Sequence, residues 1–152
     1  MIELNLPLYD YRLKRMDDGH IAIWDNTRMR YVALTPEEWV RQHFIAFLVN
    51  HKHYPAGRIG NEITLSLNGR PRRCDTLVYN EFGSPWVLIE YKAPHVAITQ
   101  EVFDQIVRYN MVFRVPYIIV SNGMSHYCCH VDYATHRCTF LSDIPCYEQL
   151  QP

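Results

Sequence analysis

Asp75, Glu90 and Lys92 stand in a stretch, RRCDTLVYNEFGSPWVLIEYKAP (72–94), that is otherwise mostly apolar and β-rich. Two carboxylates and one ammonium group suit metal-assisted phosphoryl chemistry. Carboxylate oxygens hold a hard cation such as Mg²⁺, together with water and phosphate oxygens. An ammonium group beside them can offset charge that develops in a transition state. Charged groups within segments built for burial carry a desolvation penalty. The elements that carry them must therefore bring them together for a reason.

Two turns set the register. Asn68-Gly69 is a two-residue hairpin signal. It places Leu67 opposite Arg70 and Glu62 opposite Asp75. Glu81–Ser84, read as a four-residue loop, places Asn80 opposite Pro85 and Asp75 opposite Glu90. Directly opposed residues of an antiparallel ladder share a face. Glu62, Asp75 and Glu90 are thus expected in a row across three strands, near 59–67, 70–80 and 85–92. Lys92 lies two residues beyond Glu90, on the same side. Opposed like charges repel, and a divalent cation would relieve that repulsion. The other face would hold Cys74, Thr76 and Val78 against Val87, Ile89 and Tyr91. Leu77 and Leu88 continue the acidic side. Apolar residues on both faces predict helices on both sides of the sheet.

The first helix begins at LTPEEW. Thr35 is the N-cap, Pro36 the first helical residue, and Glu38 completes a T-x-x-E capping box. Val40, Phe44, Phe47 and Leu48 form its apolar stripe. Glu37 falls beside that stripe and is the expected contributor to the cleft, with Glu38 held in the capping box. A second helix follows Thr99, with Val102, Phe103, Ile106, Val107 and Phe113 as its apolar positions. VPYIIVSN, SHYCCHVDY and RCTFL read as further strands. In the first 34 residues, alternation around Asp17-Asp18-Gly19 predicts a hairpin, and MRYVAL a third strand.

Asp75, fourteen intervening residues, and then Glu90-Tyr91-Lys92 resemble the PD-(D/E)xK nuclease signature. The run through LTPEEWVRQ, RRCDTLVY, VLIEYKAP, VFDQIVRYN and PYIIVSNG is similar to the N-terminal nuclease domain of type I restriction enzyme R subunits, from about Thr35 to Cys129. The resemblance implies that Asp75 and Glu90 bind Mg²⁺, with Mn²⁺ able to substitute, helped by Glu37 or Glu62. It implies that Lys92 assists the attacking water, and that Gln105 and Tyr109 line the same site. The implied fold is α/β: a restriction-endonuclease-like mixed sheet flanked by helices, over 35–152, with residues 1–34 as a β extension. The implied partners are DNA and other restriction-modification subunits. Arg72 and Arg73, near the hairpin tip, lie where they could touch phosphate. Cys74 stands where the signature has proline. The 152 residues contain no helicase motor, so a stand-alone relative, or one turned to another use, is expected.

Bulk properties bound these expectations. A chain of 152 residues can bury one core without disulfide or metal staples. No apolar run is long enough for a membrane helix, and the N-terminus lacks the apolar block of a signal peptide. A cytoplasmic location is expected. The five cysteines fit no CxxC zinc pattern and read as buried thiols. Cys128 and Cys129 within HYCCH would face opposite sides of a strand and cannot chelate one ion together. With 15 Lys and Arg against 16 Asp and Glu, nucleic acid would have to be held by a local patch. The alternative to a Mg²⁺-dependent endonuclease is therefore a non-catalytic nucleic-acid-binding or assembly module that keeps the fold.

Overall fold

The computed structural model describes residues 1–151. β1 (Leu13–Arg15), β2 (Ile21–Asp25) and β3 (Arg30–Ala33) form a three-stranded antiparallel sheet. α1 (Pro36–His51) follows, with Thr35 Oγ1 accepting the Glu38 amide at 3.1 Å. β4 (Ile59–Leu67), β5 (Arg70–Tyr79) and β6 (Pro85–Tyr91) lead to α2 (Gln100–Asn110), β7 (Tyr117–Ser121), β8 (His126–Asp132) and β9 (Arg137–Leu141). The last six strands make a mixed sheet in the order β4-β5-β6-β7-β8-β9. Among its neighbours only β6 and β7 run parallel. Parallel strands need a long crossover, and α2 supplies it.

The two helices cover opposite faces. On one, Val40, Phe44 and Leu48 of α1 pack in a cluster with Val78, Val87, Ile89, Ile119 and Cys128. On the other, Phe103 and Val107 of α2 pack with Leu77, Leu88, Ile118, Val120 and Cys129. Cys128 and Cys129 thus separate across the sheet, as strand alternation requires. Cys74, expected on the face of Thr76 and Val78, packs instead on the other face with Leu77, because the strand loses its regular pairing at Asp75. Not every thiol is buried either: Cys138 is exposed and Cys146 half-buried.

α1 is more deeply enclosed than an apolar stripe predicts, for residues 38–45 are all buried. The N-terminal residues cover its outer side. Trp39 Nε1 donates to the Ile2 carbonyl at 2.9 Å, and the Tyr11 ring meets Trp39 edge-on. Polar residues complete the seam. Asp25 is fully buried and accepts from Thr27 N at 2.8 Å, Asn61 Nδ2 at 3.1 Å and Arg28 Nε. Burial works against the charged carboxylate, but these hydrogen bonds outweigh it and hold Asp25 well below the usual carboxylate range. Thr76 Oγ1 donates to Asn61 Oδ1 at 2.7 Å and accepts from Tyr91 OH at 3.0 Å. A continuous hydrogen-bonded path therefore runs from β2 to β6. Among the described residues no helix is long and apolar enough to cross a membrane.

Arg28 also donates to Glu38 Oε1 at 2.8 Å, so it serves two buried carboxylates. Removing one partner of a buried ion pair leaves an uncompensated charge. Arg28→Ala is expected to lower stability by ~3 kcal/mol in urea unfolding at neutral pH, with the slope against denaturant unchanged. A loss of only a few tenths would contradict the role assigned to this seam.

Candidate active site

Between β4 and β5 the Leu67↔Arg70 register holds through Ile63↔Cys74, skips one pair, and resumes at Asn61↔Thr76. The skipped pair is Glu62 and Asp75, the pair expected to face each other. Glu62 takes a left-handed backbone, φ 56°, which breaks the ladder there. The Asp75 carbonyl accepts Arg41 Nη1 at 2.7 Å. Between β5 and β6 the expected register holds at Thr76↔Ile89, Leu77↔Leu88 and Val78↔Val87. Near the turn it shifts by one: Tyr79, not Asn80, pairs with Pro85, and Trp86 is the extra residue of a bulge. Asn80 instead closes the loop, its Oδ1 accepting the Phe82 and Ser84 amides.

Beyond Thr76↔Ile89 the backbone pairing stops. The Lys92 amide donates to Ser121 O of β7 at 2.9 Å. The amide of Tyr91 donates to Asp75 Oδ2, also at 2.9 Å. A side-chain carboxylate so stands at the open end of the ladder, close enough for its charge to act on Glu90. Burial, then the charge of Asp75 and its contact, push Glu90 up to about 8. Lys92 pulls the other way, but by less. Glu90 and Lys92 line a cleft of about 410 Å³ with Gln105, Ile106, Tyr109 and Asn110. Gln105 and Tyr109, one turn apart on α2, thus share a cleft with the motif residues.

The remaining expected residues are placed differently. Glu62 gives its oxygens to Arg41 Nη2 at 2.5 Å and Arg73 Nε at 2.7 Å. Glu37 is exposed and joins none of these contacts. Glu38 is the glutamate that turns inward. It is not held by a capping box, since the Thr35 amide donates to Ala33 O. Its carboxylate meets Arg28, Gln42 Nε2 at 3.0 Å and Arg41 Nε at 2.9 Å. Helical periodicity alone points Glu37 inward and leaves one face solvated, whereas the N-terminal residues enclose that face. Arg41 was missed for the same reason, although it lies three residues before Phe44 and seven before Leu48, positions adjoining the stripe. Arg72 lays its guanidinium 3.7 Å from the Tyr109 ring centroid and donates to the Tyr109 carbonyl. Arg73 remains largely exposed.

Chemically, Glu90 lines the cleft while the Asp75 carboxylate is held against the end of its strand, and burial together with the neighbouring charge opposes ionisation of Glu90. Two carboxylates, with the remaining positions left to water and substrate oxygens, fit Mg²⁺. The raised Glu90 fits the same reading, since a bound cation would offset both the burial and the neighbouring charge that raise it.

Residues 36–145 match the family described as type I restriction enzyme R protein N terminus. The fold is similar to a fragment of an HsdR subunit assigned to a type I restriction enzyme of Vibrio vulnificus YJ016. The TM-score is 0.54 at 18% identity, over 77% of this chain and 24% of that one. The chain therefore spans less than a quarter of the length of that fragment. No curated protein matches it.

The shift at Glu90 has a signed consequence. Between the ordinary value of 4.5 and about 8, the folded protein keeps a proton that the unfolded chain has released. Stability should therefore fall as pH rises through that window and level off above it. In chelator, the Tm of the wild type should drop more steeply from about pH 5 to about pH 8 than that of Glu90→Gln. Saturating Mg²⁺ should recover most of the difference by mass action. Parallel Tm profiles, with no response to Mg²⁺, would contradict this site.

Proposed function

The chain belongs to the family of type I restriction enzyme R protein N termini, and from that premise we propose that it hydrolyses DNA phosphodiester bonds with Mg²⁺ held by Asp75 and Glu90. One observation carries the reading: the Asp75 carboxylate is fixed by the amide of Tyr91, the residue next to Glu90, at the end of a broken ladder. Glu90 and Lys92 share their cleft with Gln105 and Tyr109.

Mg²⁺, when bound, would polarise a phosphate oxygen and lower the pKa of coordinated water. The protein's own groups supply the rest. Lys92, half-buried at the cleft wall, orients the attacking water and offsets charge accumulating on the phosphate. Gln105 hydrogen-bonds that water or a phosphate oxygen from the opposite wall. Arg41 fixes the carbonyl of Asp75 and, with Arg73, neutralises Glu62, which limits the negative charge beside the site. Neither Glu62 nor Glu37 is proposed as a metal ligand. Arg72, stacked on Tyr109, lies on the approach to the cleft, and it and the exposed Arg73 contact the DNA backbone. Mn²⁺ substitutes for Mg²⁺. Other restriction-modification subunits are the proposed protein partners, on the strength of the family alone.

Lys92 touches the reacting groups rather than the metal. Lys92→Ala should retain Mn²⁺ binding while slowing single-turnover cleavage by ~10²–10³, whereas Asp75→Ala should lose both. Cleavage by Lys92→Ala at the wild-type rate would overturn the mechanism. A wild type that binds Mn²⁺ and DNA but cuts no supercoiled, linear or single-stranded DNA would leave the non-catalytic binding module in its place.

A further inference from the structure

Away from the cleft, His53, Cys146 and Glu148 bring one ligand atom each to within 4.8 Å of one another. Cys146 and Glu148 lie outside the residues matched by the family. We propose that these three side chains bind one divalent ion of the Zn²⁺ class, with water in the fourth position. This site is independent of the nuclease reading.

The backbone holds the two contributing segments in place without the ion. The Tyr147 amide donates to Lys52 O at 2.9 Å, and Tyr54 OH donates to Pro145 O at 3.0 Å. These links bracket His53 on one segment and Cys146 on the other. Tyr54 is buried, and its ring packs on Tyr147 with centroids 5.4 Å apart. Tyr147 OH donates to the carbonyl of Tyr79 at 3.0 Å and accepts from Arg58 Nη1 at 2.9 Å. The ligand-bearing backbone is therefore anchored to the sheet, while the His53 and Glu148 side chains are exposed and free to adjust.

The donor set selects the ion. One sulfur, one imidazole nitrogen and one carboxylate suit tetrahedral Zn²⁺, whose ligands sit at ~2.0–2.3 Å. They do not suit Mg²⁺, which takes oxygen ligands. Forming a tetrahedron from the present spacing asks only small movements of exposed side chains, with Cys146 drawing in and the His53–Glu148 pair opening slightly. His53 Nδ1 already lies 2.9 Å from Glu148 Oε1, so the ion would stand where a proton now joins them. Binding releases the Cys146 thiol proton to solvent, and the proton between His53 Nδ1 and Glu148 leaves as well, to solvent or to Nε2, so that Nδ1 can ligate. The resulting thiolate and the carboxylate balance the dication, and the imidazole is neutral. Bound in this way, the ion clips the C-terminal segment to the end of α1 and closes the long loop between His53 and Cys146.

Co²⁺ reports such a site directly, because thiolate ligation adds a near-ultraviolet charge-transfer band and tetrahedral geometry adds visible bands. The intact chain titrated with Co²⁺ should show both at one equivalent, and Zn²⁺ should abolish them. Cys146→Ser should lose the charge-transfer band, and His53→Ala should weaken binding at least tenfold. Asp75→Asn should leave the bands unchanged, which separates this site from the proposed Mg²⁺ cleft. Circular dichroism checks that each variant is folded. Zn²⁺ at one equivalent should also raise the Tm of the wild type by several degrees, but not that of Cys146→Ser. Absence of the bands, or bands that survive Cys146→Ser, would overturn the proposal and leave His53 and Glu148 as a surface ion pair.

Discussion

The carboxylate of Asp75 accepts the Tyr91 amide hydrogen at the point where β5 no longer offers β6 a backbone partner. An amide at the end of a ladder must find an acceptor or remain in water. Meeting it with a side chain orients Asp75 towards β6, beside Glu90. The same bond ends the pairing of β5 with β6 and opens a cleft between the strand ends and α2. Glu90 of β6 and Lys92, just past its end, line that cleft together, with Gln105 and Tyr109 of α2. Every functional assignment in the cleft rests on that one substitution of a carboxylate for a carbonyl.

Such a junction concentrates negative charge, and the surrounding structure balances it from behind. Glu62 adopts a left-handed backbone, a conformation that costs about 1–3 kcal/mol for a residue other than glycine. Arg41 and Arg73 offset that cost by holding its carboxylate. Arg41 also reaches the carbonyl of Asp75 and stands beside Glu38. Glu38 in turn meets Arg28, which meets Asp25. The charges of α1 and of the N-terminal sheet are thus matched, and Glu90 is the carboxylate left with a strongly raised pKa. That contrast marks it as the group a cation would serve.

Much of this was legible from the sequence because its signals were local. Asn68-Gly69 determines a hairpin within two residues, and the register it predicts holds on both sides of the skipped pair. Thr35 and Thr99 cap their helices at the expected places. Three-dimensional context overrode the rest. Glu38 turns inward onto Arg28 and Arg41 and Glu37 stays exposed, neither of them in the cleft, because the N-terminal residues cover the side of α1 that periodicity assigned to solvent. Cys74 changed faces because the strand is irregular at Asp75, and regular alternation cannot report an irregularity. The five-residue connection at 80–84 was read as four because the Trp86 bulge restores the register beyond it. The grouping of His53, Cys146 and Glu148 depends on docking of distant segments, for which no short-range signal exists.

The most direct test of the central claim is the anomalous scattering of a crystal soaked in Mn²⁺ near pH 8. At that pH Glu90 is substantially ionised and free to bind. A single strong peak should lie between the carboxylates of Asp75 and Glu90, disappear in Asp75→Asn, and leave Glu62 on its two arginines. A wild-type map with no peak there, or with the metal drawn to Glu62 or Glu37 instead, would contradict the account.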